Sequence, residues 1–250
     1  MDQYRIFDKI CVTGIATSGY TSGLCGVWTK ERFQTLAGLF NTDCRNMIVA
    51  DQKHTDSIFV AGKDDAGMGI ISPHTGEPFD AVITSKPGLM LSVHTADCVP
   101  IAMLDPVKKA IGIVHSGWVG SAKNIAGKTI RKMKEVFQSD PGDIICCIGP
   151  YNHACCYEVG EDVLDAFRDS FTQDECSRLF KPADISENTT APKYMLDLGM
   201  AVSLSLTREG VKSESIFDSG HCTYHTTDFS SWRRTKDKKH QILSFIMLNG

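Results

Sequence analysis

No Cys-x-x-Cys pair occurs anywhere in this 250-residue chain, although it holds ten cysteines. That absence removes the main signal of a zinc ribbon or a thioredoxin-type redox site. No apolar stretch is long enough to span a bilayer, so no membrane partner is expected. Positive charge is scarce too: Lys and Arg number 26 against 30 Asp and Glu, for a net charge of -4. The only basic cluster, Lys236-Asp237-Lys238-Lys239-His240, is short and carries an acid. A nucleic-acid surface needs denser cations, and no nucleic-acid partner is expected. Internal repeats, low-complexity tracts and a convincing linker are also missing. The polar segment Pro182 to Pro192 reads as a surface excursion, not a domain boundary.

What is present is material for a core. With 42% of its residues hydrophobic, the chain can bury a full interior, and its simplest organisation is one domain over residues 1–250. Ten cysteines would indicate disulfides in a small secreted protein. Here the opening Met1-Asp2-Gln3-Tyr4-Arg5 does not read as a signal peptide, and a reducing cytoplasm is the expected home. Cys146 and Cys147 are adjacent in an apolar run, where neighbouring strand side chains point to opposite faces, so both read as buried thiols. Cys155 and Cys156 read as core groups as well.

Apolar, β-type runs alternate with amphipathic stretches, which predicts an α/β fold of mixed β-sheets flanked by helices. The strand candidates are Ile10 to Val12, Asn46 to Ala50, Ile58 to Ala61, Asp80 to Thr84, Met90 to Val93, Pro100 to Leu104, Ala110 to His115, Ile144 to Ile148 and Ile242 to Leu248. Helical spacing is clearest after Gly120, where Ala122, Ile125, Ala126, Thr129, Ile130, Met133 and Phe137 recur at intervals of three and four. Gly160 to Phe167 and Leu196 to Arg208 read as two further helices, the second closed by Gly210.

Three short segments carry the chemistry: Gln52-Lys53-His54, Ala96-Asp97-Cys98 and His115-Ser116-Gly117-Trp118. Each places a transition-metal ligand next to a predicted strand end. Two imidazoles and one thiolate suit zinc, and three protein ligands leave a fourth position for water or substrate, as in a catalytic site. After His115, the Gly117-Trp118-Val119-Gly120 turn leads to a helix opening near Ser121. Free backbone N–H groups there would favour an anion, phosphate included.

At these residues the chain resembles the laccase-domain, or multicopper polyphenol oxidase-like, family, whose members are also called peptidoglycan editing factors and zinc-dependent purine nucleoside phosphorylases. Five ordered blocks carry the resemblance. Gln52-Lys53-His54 is similar to Gln-Val-His-Gly, Thr95-Ala96-Asp97-Cys98-Val99-Pro100 to Thr-Ala-Asp-Cys-Leu-Pro, and His115 to Gly120 to His-Ala-Gly-Trp-Arg-Gly. Ile148-Gly149-Pro150 with Cys156 to Gly160 forms the fourth block, and Cys222-Thr223 with Phe229 to Arg234 the fifth. The resemblance implies the laccase-domain-family fold and zinc held by His54, Cys98 and His115, which would be both metal ligands and catalytic residues. It implies a small-molecule purine nucleoside and phosphate as partners, and phosphorolysis of adenosine, inosine, guanosine or methylthioadenosine, or deamination of adenosine, as the activity. Gly117, Trp118, Gly120, Ser121, Asp97 and Arg233 are the candidate substrate contacts.

The chain also departs from the family pattern. Val119 and Ser18 stand at positions where the family has arginine, the side chain best shaped for bidentate phosphate contact. Thr55 replaces a glycine, and the loop after Tyr20 is shortened into Gly26 to Phe40, with Arg45 a candidate replacement cation. Other classes stay open: a catalytically weakened binding or editing protein, a Cys98-nucleophile hydrolase, and a copper-dependent polyphenol oxidase. Copper is less favoured, since 8 histidines with no His-x-His pair are few for several coppers. Among single residues, His94, His153, His221 and His225 read as hydrogen-bonded core groups. Trp118 reads as packing or as a purine stacker, Asp97 and Gln52 as turn caps or as supports of the ligands, and Arg233 and Arg234 as a solvated pair or as substrate contacts.

Overall fold

The computed structural model describes residues 3–22, 27–183 and 192–250. Most of the predicted Pro182 to Pro192 excursion, along with Cys25 and Gly26, lies outside the described residues. Two sheets stack face to face, and their strands are short apolar runs of the predicted kind. The five-stranded sheet runs in the spatial order Gln3–Ile6, Ala16–Ser22, Ile242–Leu248, Met90–Thr95, Met47–Val49. The six-stranded sheet runs Ile216–Asp218, Ile145–Ile148, Val99–Asp105, Ala110–Ser116, Ala81–Thr84, Ile58–Val60. Its middle is antiparallel, and its outer pairs are parallel.

Side-chain alternation sorts each strand between two cores. Leu91, Val93, Ile242, Ile246 and Leu248 of one sheet meet Val82, Ala102, Leu104, Ile111 and Ile113 of the other. The opposite face of the six-stranded sheet, with Ala81, Ile83, Ile101, Met103 and Val114, is covered by helices Ile125–Phe137 and Leu198–Arg208. The outer face of the five-stranded sheet is covered by helix Lys30–Leu39 through Phe33, Leu36 and Ala37. The result is a helix–sheet–sheet–helix layering, consistent with the α/β expectation. Cys146 and Cys147 point into different cores, as strand geometry requires. All nine described cysteines are free. No helix among the described residues is long and apolar enough to cross a membrane.

Several local expectations need correction. Ile10 to Val12 is not a strand: Asp8–Cys11 is one helical turn, with Ile10 buried and Val12 exposed. A run of three apolar residues does not distinguish the two conformations. Gly26 to Phe40, read as a loop, carries helix Lys30–Leu39, capped by Thr29 accepting from the Arg32 N–H at 3.4 Å. The helix after His115 opens at Trp118, not Ser121. Trp118–Ala122 forms one turn with Gly117 as N-cap, and the chain restarts at Ile125 after Asn124 takes a left-handed φ of 58°. Leu196 ends a strand, Lys193–Leu196, and the helix begins at Leu198 behind the Asp197 cap.

Candidate metal centre

Strand register brings the three predicted ligands to one edge of the six-stranded sheet. Val99 pairs with Ser116 and Pro100 with His115, so Cys98, one residue before the strand, arrives beside Gly117. The chain reaches Cys98 by leaving the five-stranded sheet at Thr95 and crossing to the other sheet through Ala96 and Asp97. Asp97 takes a φ of 99° in this crossing. Its carboxylate accepts from Thr223 Oγ1 and from the Arg233 backbone N–H, both at 2.6 Å, which offsets the cost of the conformation. His54 also has a positive φ, 59°, in the loop that precedes Ile58–Val60.

Asp80, fully buried, organises the constellation. Its Oδ1 accepts from His115 Nδ1 at 2.6 Å and from the His54 N–H at 3.1 Å. Its Oδ2 accepts from the N–H groups of Thr55 and Lys53 at 2.6 and 3.2 Å and from Thr55 Oγ1 at 2.8 Å. The Asp80 backbone carbonyl accepts from the His115 N–H at 2.7 Å. Burial opposes the Asp80 carboxylate, yet the hydrogen bond from His115 and those from Thr55 hold its pKa down at about 2. With Nδ1 committed to a carboxylate, His115 has Nε2 left to bind a metal, the support that metal-ligating histidines usually have.

One ligand atom from each of His54, Cys98 and His115 lies within 4.8 Å of the other two. His54 Nε2 is 3.9 Å from Cys98 Sγ, and the two imidazoles meet edge to face with centroids 5.0 Å apart. Burial pushes the Cys98 thiol up, but the charge of His115 and hydrogen bonds from His115 and His54 bring it down to about 6. Burial likewise opposes protonated His115; the Cys98 thiolate and Asp80 outweigh it and raise His115 to about 9. Each side chain favours the charged form of the other, and a divalent cation bound between them would take the place of the shared proton. The donor set, two nitrogens and one sulfur, matches a zinc site with an open fourth position.

A cavity of about 740 Å³ opens above these ligands. Trp118, Tyr157, Gln52, Asp97, Arg233 and Lys238 are among its walls. Gly117, Gly120 and Ser121 are not. Gly117 works by lacking a side chain: a Cβ there would sit 2.8 Å from His54 Cδ2 and 3.1 Å from Cys98 Sγ. Gly120 packs within the helix turn, where a Cβ would meet Ile125 at 3.3 Å. The Ser121 N–H donates to the Gly117 carbonyl at 2.8 Å, and its hydroxyl pairs with Ser116 at 2.8 Å. Gln52 clips onto the His94 backbone at both ends of its amide, at 2.6 and 2.7 Å.

The solvated-pair reading of Arg233 and Arg234 does not hold. Arg234 grips the carbonyls of Thr223, Tyr224 and Phe229 at 2.5, 2.7 and 2.5 Å. Arg233 lies over the Tyr157 ring and donates to the Glu158 carbonyl at 2.9 Å. His94 stacks on Trp28, but its buried Nε2 has no hydrogen-bond partner, and burial first, then the charge of His115, pushes its pKa down to about 4. His153 Nε2 is also buried without a partner, whereas His221 meets Arg5 at 2.9 Å. Cys155 is exposed, not core, and lies beside His225. Of the departures, Ser18 is fully buried in strand Ala16–Ser22, and Arg45 pairs with Asp43 away from the cavity walls. Asp80 was legible only as a strand start. The signal for its role was an acid at the head of an otherwise apolar, buried strand, where a charge must find partners.

The multi-copper polyphenol oxidoreductase laccase family matches residues 28–249. The purine nucleoside phosphorylase YlmD of Bacillus subtilis is 36% identical over 214 residues, covering 84% of this chain and 74% of that protein. An adenosine deaminase, RL5, from an unknown prokaryotic organism is 30% identical over 204 residues, covering 80% and 74%. The crystal structure of the Bacillus licheniformis hypothetical protein YfiH superposes with a TM-score of 0.85 at 28% identity, over 94% of this chain and 93% of that one. The chain belongs to the multi-copper polyphenol oxidoreductase laccase family, the class to which both its fold and its Cys/His constellation point.

Proposed function

We propose that this chain, acting as one domain, is a zinc-dependent purine nucleoside phosphorylase with adenosine deaminase activity at the same site. The observation that carries the reading is the set of His54, Cys98 and His115 at the floor of a cavity large enough for a nucleoside. Its relatives named as a purine nucleoside phosphorylase and as an adenosine deaminase support the same substrate class. Bound by these three residues, zinc would supply Lewis-acid polarisation and bring a water in the fourth position towards neutral acidity.

The protein's own residues do the rest. Asp80 engages His115 Nδ1 and so leaves Nε2 as the nitrogen that would face zinc, and Gly117 leaves room for both His54 and Cys98. Trp118 and Tyr157 offer flat faces to a purine. Arg233 and Lys238 are the arginine and lysine among the lining residues and are assigned here to phosphate, since neither Ser18 nor Val119 presents a cation. Asp97 fixes the backbone at Arg233 and so sets where that guanidinium starts. Copper oxidation of phenols is the weaker reading, because it needs several coppers held by many imidazoles, and beyond His54 and His115 the cavity walls carry one histidine, His94.

The test is a nucleoside panel run with and without phosphate on metal-quantified protein and resolved by chromatography. Inosine or guanosine with phosphate is expected to give free base and ribose-1-phosphate, and adenosine without phosphate is expected to give inosine. Cys98→Ala should lose this metal ion and turnover together. Full turnover without metal, or no conversion of any nucleoside by zinc-loaded protein, overturns the reading.

A further inference from the structure

A second group of side chains, outside the cavity and unused by the proposed reaction, is arranged as metal ligands are. Cys155 and Cys156 lie on the turn that follows Tyr151, and Cys222 and His225 on the turn that follows strand Ile216–Asp218. The two turns are tied by a parallel bridge between Tyr151 and Cys222, in which Tyr151 N–H donates to the His221 carbonyl and Thr223 N–H to the Tyr151 carbonyl. One ligand atom from each of the four residues lies within 4.8 Å of the others.

The separations are those of a coordination shell. The sulfurs of Cys155 and Cys156 are 3.4 Å apart and those of Cys155 and Cys222 are 3.9 Å apart. His225 offers Nδ1, which lies 3.7 Å from Cys155 Sγ and 3.9 Å from Cys156 Sγ. Zinc bonds of about 2.3 Å to sulfur and about 2.0 Å to nitrogen, directed to tetrahedral corners, separate the ligand atoms by roughly 3.5–3.8 Å. A disulfide brings two sulfurs to about 2.05 Å, so these are thiols gathered without being bonded. Cys222 is buried while Cys155 and His225 are exposed, which gives an ion a way in from solvent.

We propose that Cys155, Cys156, Cys222 and His225 form a second, structural zinc site, distinct from the one at His54, Cys98 and His115. Three thiolates and one imidazole complete a tetrahedron with no open corner, the closed donor set of a structural ion. Binding releases the thiol protons to solvent. The ion fastens two turns that shape the cavity without touching its contents. The first runs directly into Tyr157, Glu158, Val159 and Gly160 of the cavity wall. The second carries Thr223, which holds Asp97, and the Thr223 and Tyr224 carbonyls gripped by Arg234.

The test is a zinc count on full-length, reduced protein by elemental mass spectrometry, for the wild type, Cys98→Ala and Cys156→Ser. Two zinc ions per chain in the wild type and one in each variant are expected. X-ray absorption at the zinc edge of Cys98→Ala should then find three sulfurs and one nitrogen. Because Cys98→Ala leaves the second cluster intact, its count decides the matter even if Cys156→Ser fails to fold. One zinc in the wild type and none in Cys98→Ala overturns the second site. So does a disulfide among Cys155, Cys156 and Cys222 found by non-reducing peptide mapping of freshly purified protein. One zinc kept in both the wild type and Cys98→Ala would instead overturn the first site and support the second.

Discussion

Asp80 joins four backbone and side-chain donors to His115, a proposed ligand, and its substitution separates the role of the proposed ligands from that of their support. Asp80→Asn turns one acceptor oxygen into a donor facing either His115 Nδ1–H or the Thr55 and Lys53 amides. Metal affinity should fall by about 10–100-fold, the usual effect of losing a partner behind a metal ligand. Competition against a chromophoric chelator measures it, and unchanged affinity would deny Asp80 this role. Gly117→Ala tests the same site by volume. Its Cβ would press on His54 and Cys98, so either the ligands shift or the helix turn does. Zinc affinity and turnover should both drop, while the unfolding midpoint moves little because the cavity rim can relax.

Helix ends decide several connections, and one of them predicts a pH dependence. Thr172 and Glu175 form a reciprocal cap at the start of helix Gln173–Leu179, and Glu175 also pairs with Arg208 at the end of helix Leu198–Arg208. The Arg208 hydrogen bond, followed by those from Thr172, holds the Glu175 carboxyl down at about 2. A depressed carboxyl pKa stabilises the fold above the unfolded value near ~4.3 and ceases to do so as pH falls through about 2. Glu175→Gln should therefore lower the thermal midpoint near neutral pH. The gap from wild type should narrow through the acid range and close near the lower limit, as read by melts across pH. A gap that stays constant would show that the charge contributes nothing. At this scale the sequence was legible where spacing was long and uninterrupted. Ile125, Ala126, Thr129, Ile130 and Met133 announced their helix because one buried face repeats at three and four residues. It was illegible at Ile10 to Val12 and at Gly26 to Phe40, where three residues of apolar run, or a family-based loop expectation, outweighed the Phe33, Leu36 and Ala37 spacing.

The whole molecule depends on two sheets sharing one interior. Ile246, fully buried between them on strand Ile242–Leu248, is the place to test it. Ile246→Ala should cost about 2–5 kcal/mol in denaturant unfolding, since the cavity lies between two stiff layers that cannot easily close over it. A cost under ~1 kcal/mol would mean the sheets adapt. The sequence by itself determined the α/β character, the opposite facing of Cys146 and Cys147 and the candidate ligand trio, because strand alternation and ligand chemistry are local properties written in residue type. Only the tertiary structure decided that Asp80 stands behind His115, that Gly117 is needed for its missing side chain, and that Cys155, Cys156, Cys222 and His225 meet. Those relations join residues far apart in the chain through register and the crossing between sheets, and no local pattern encodes a distance across two strands.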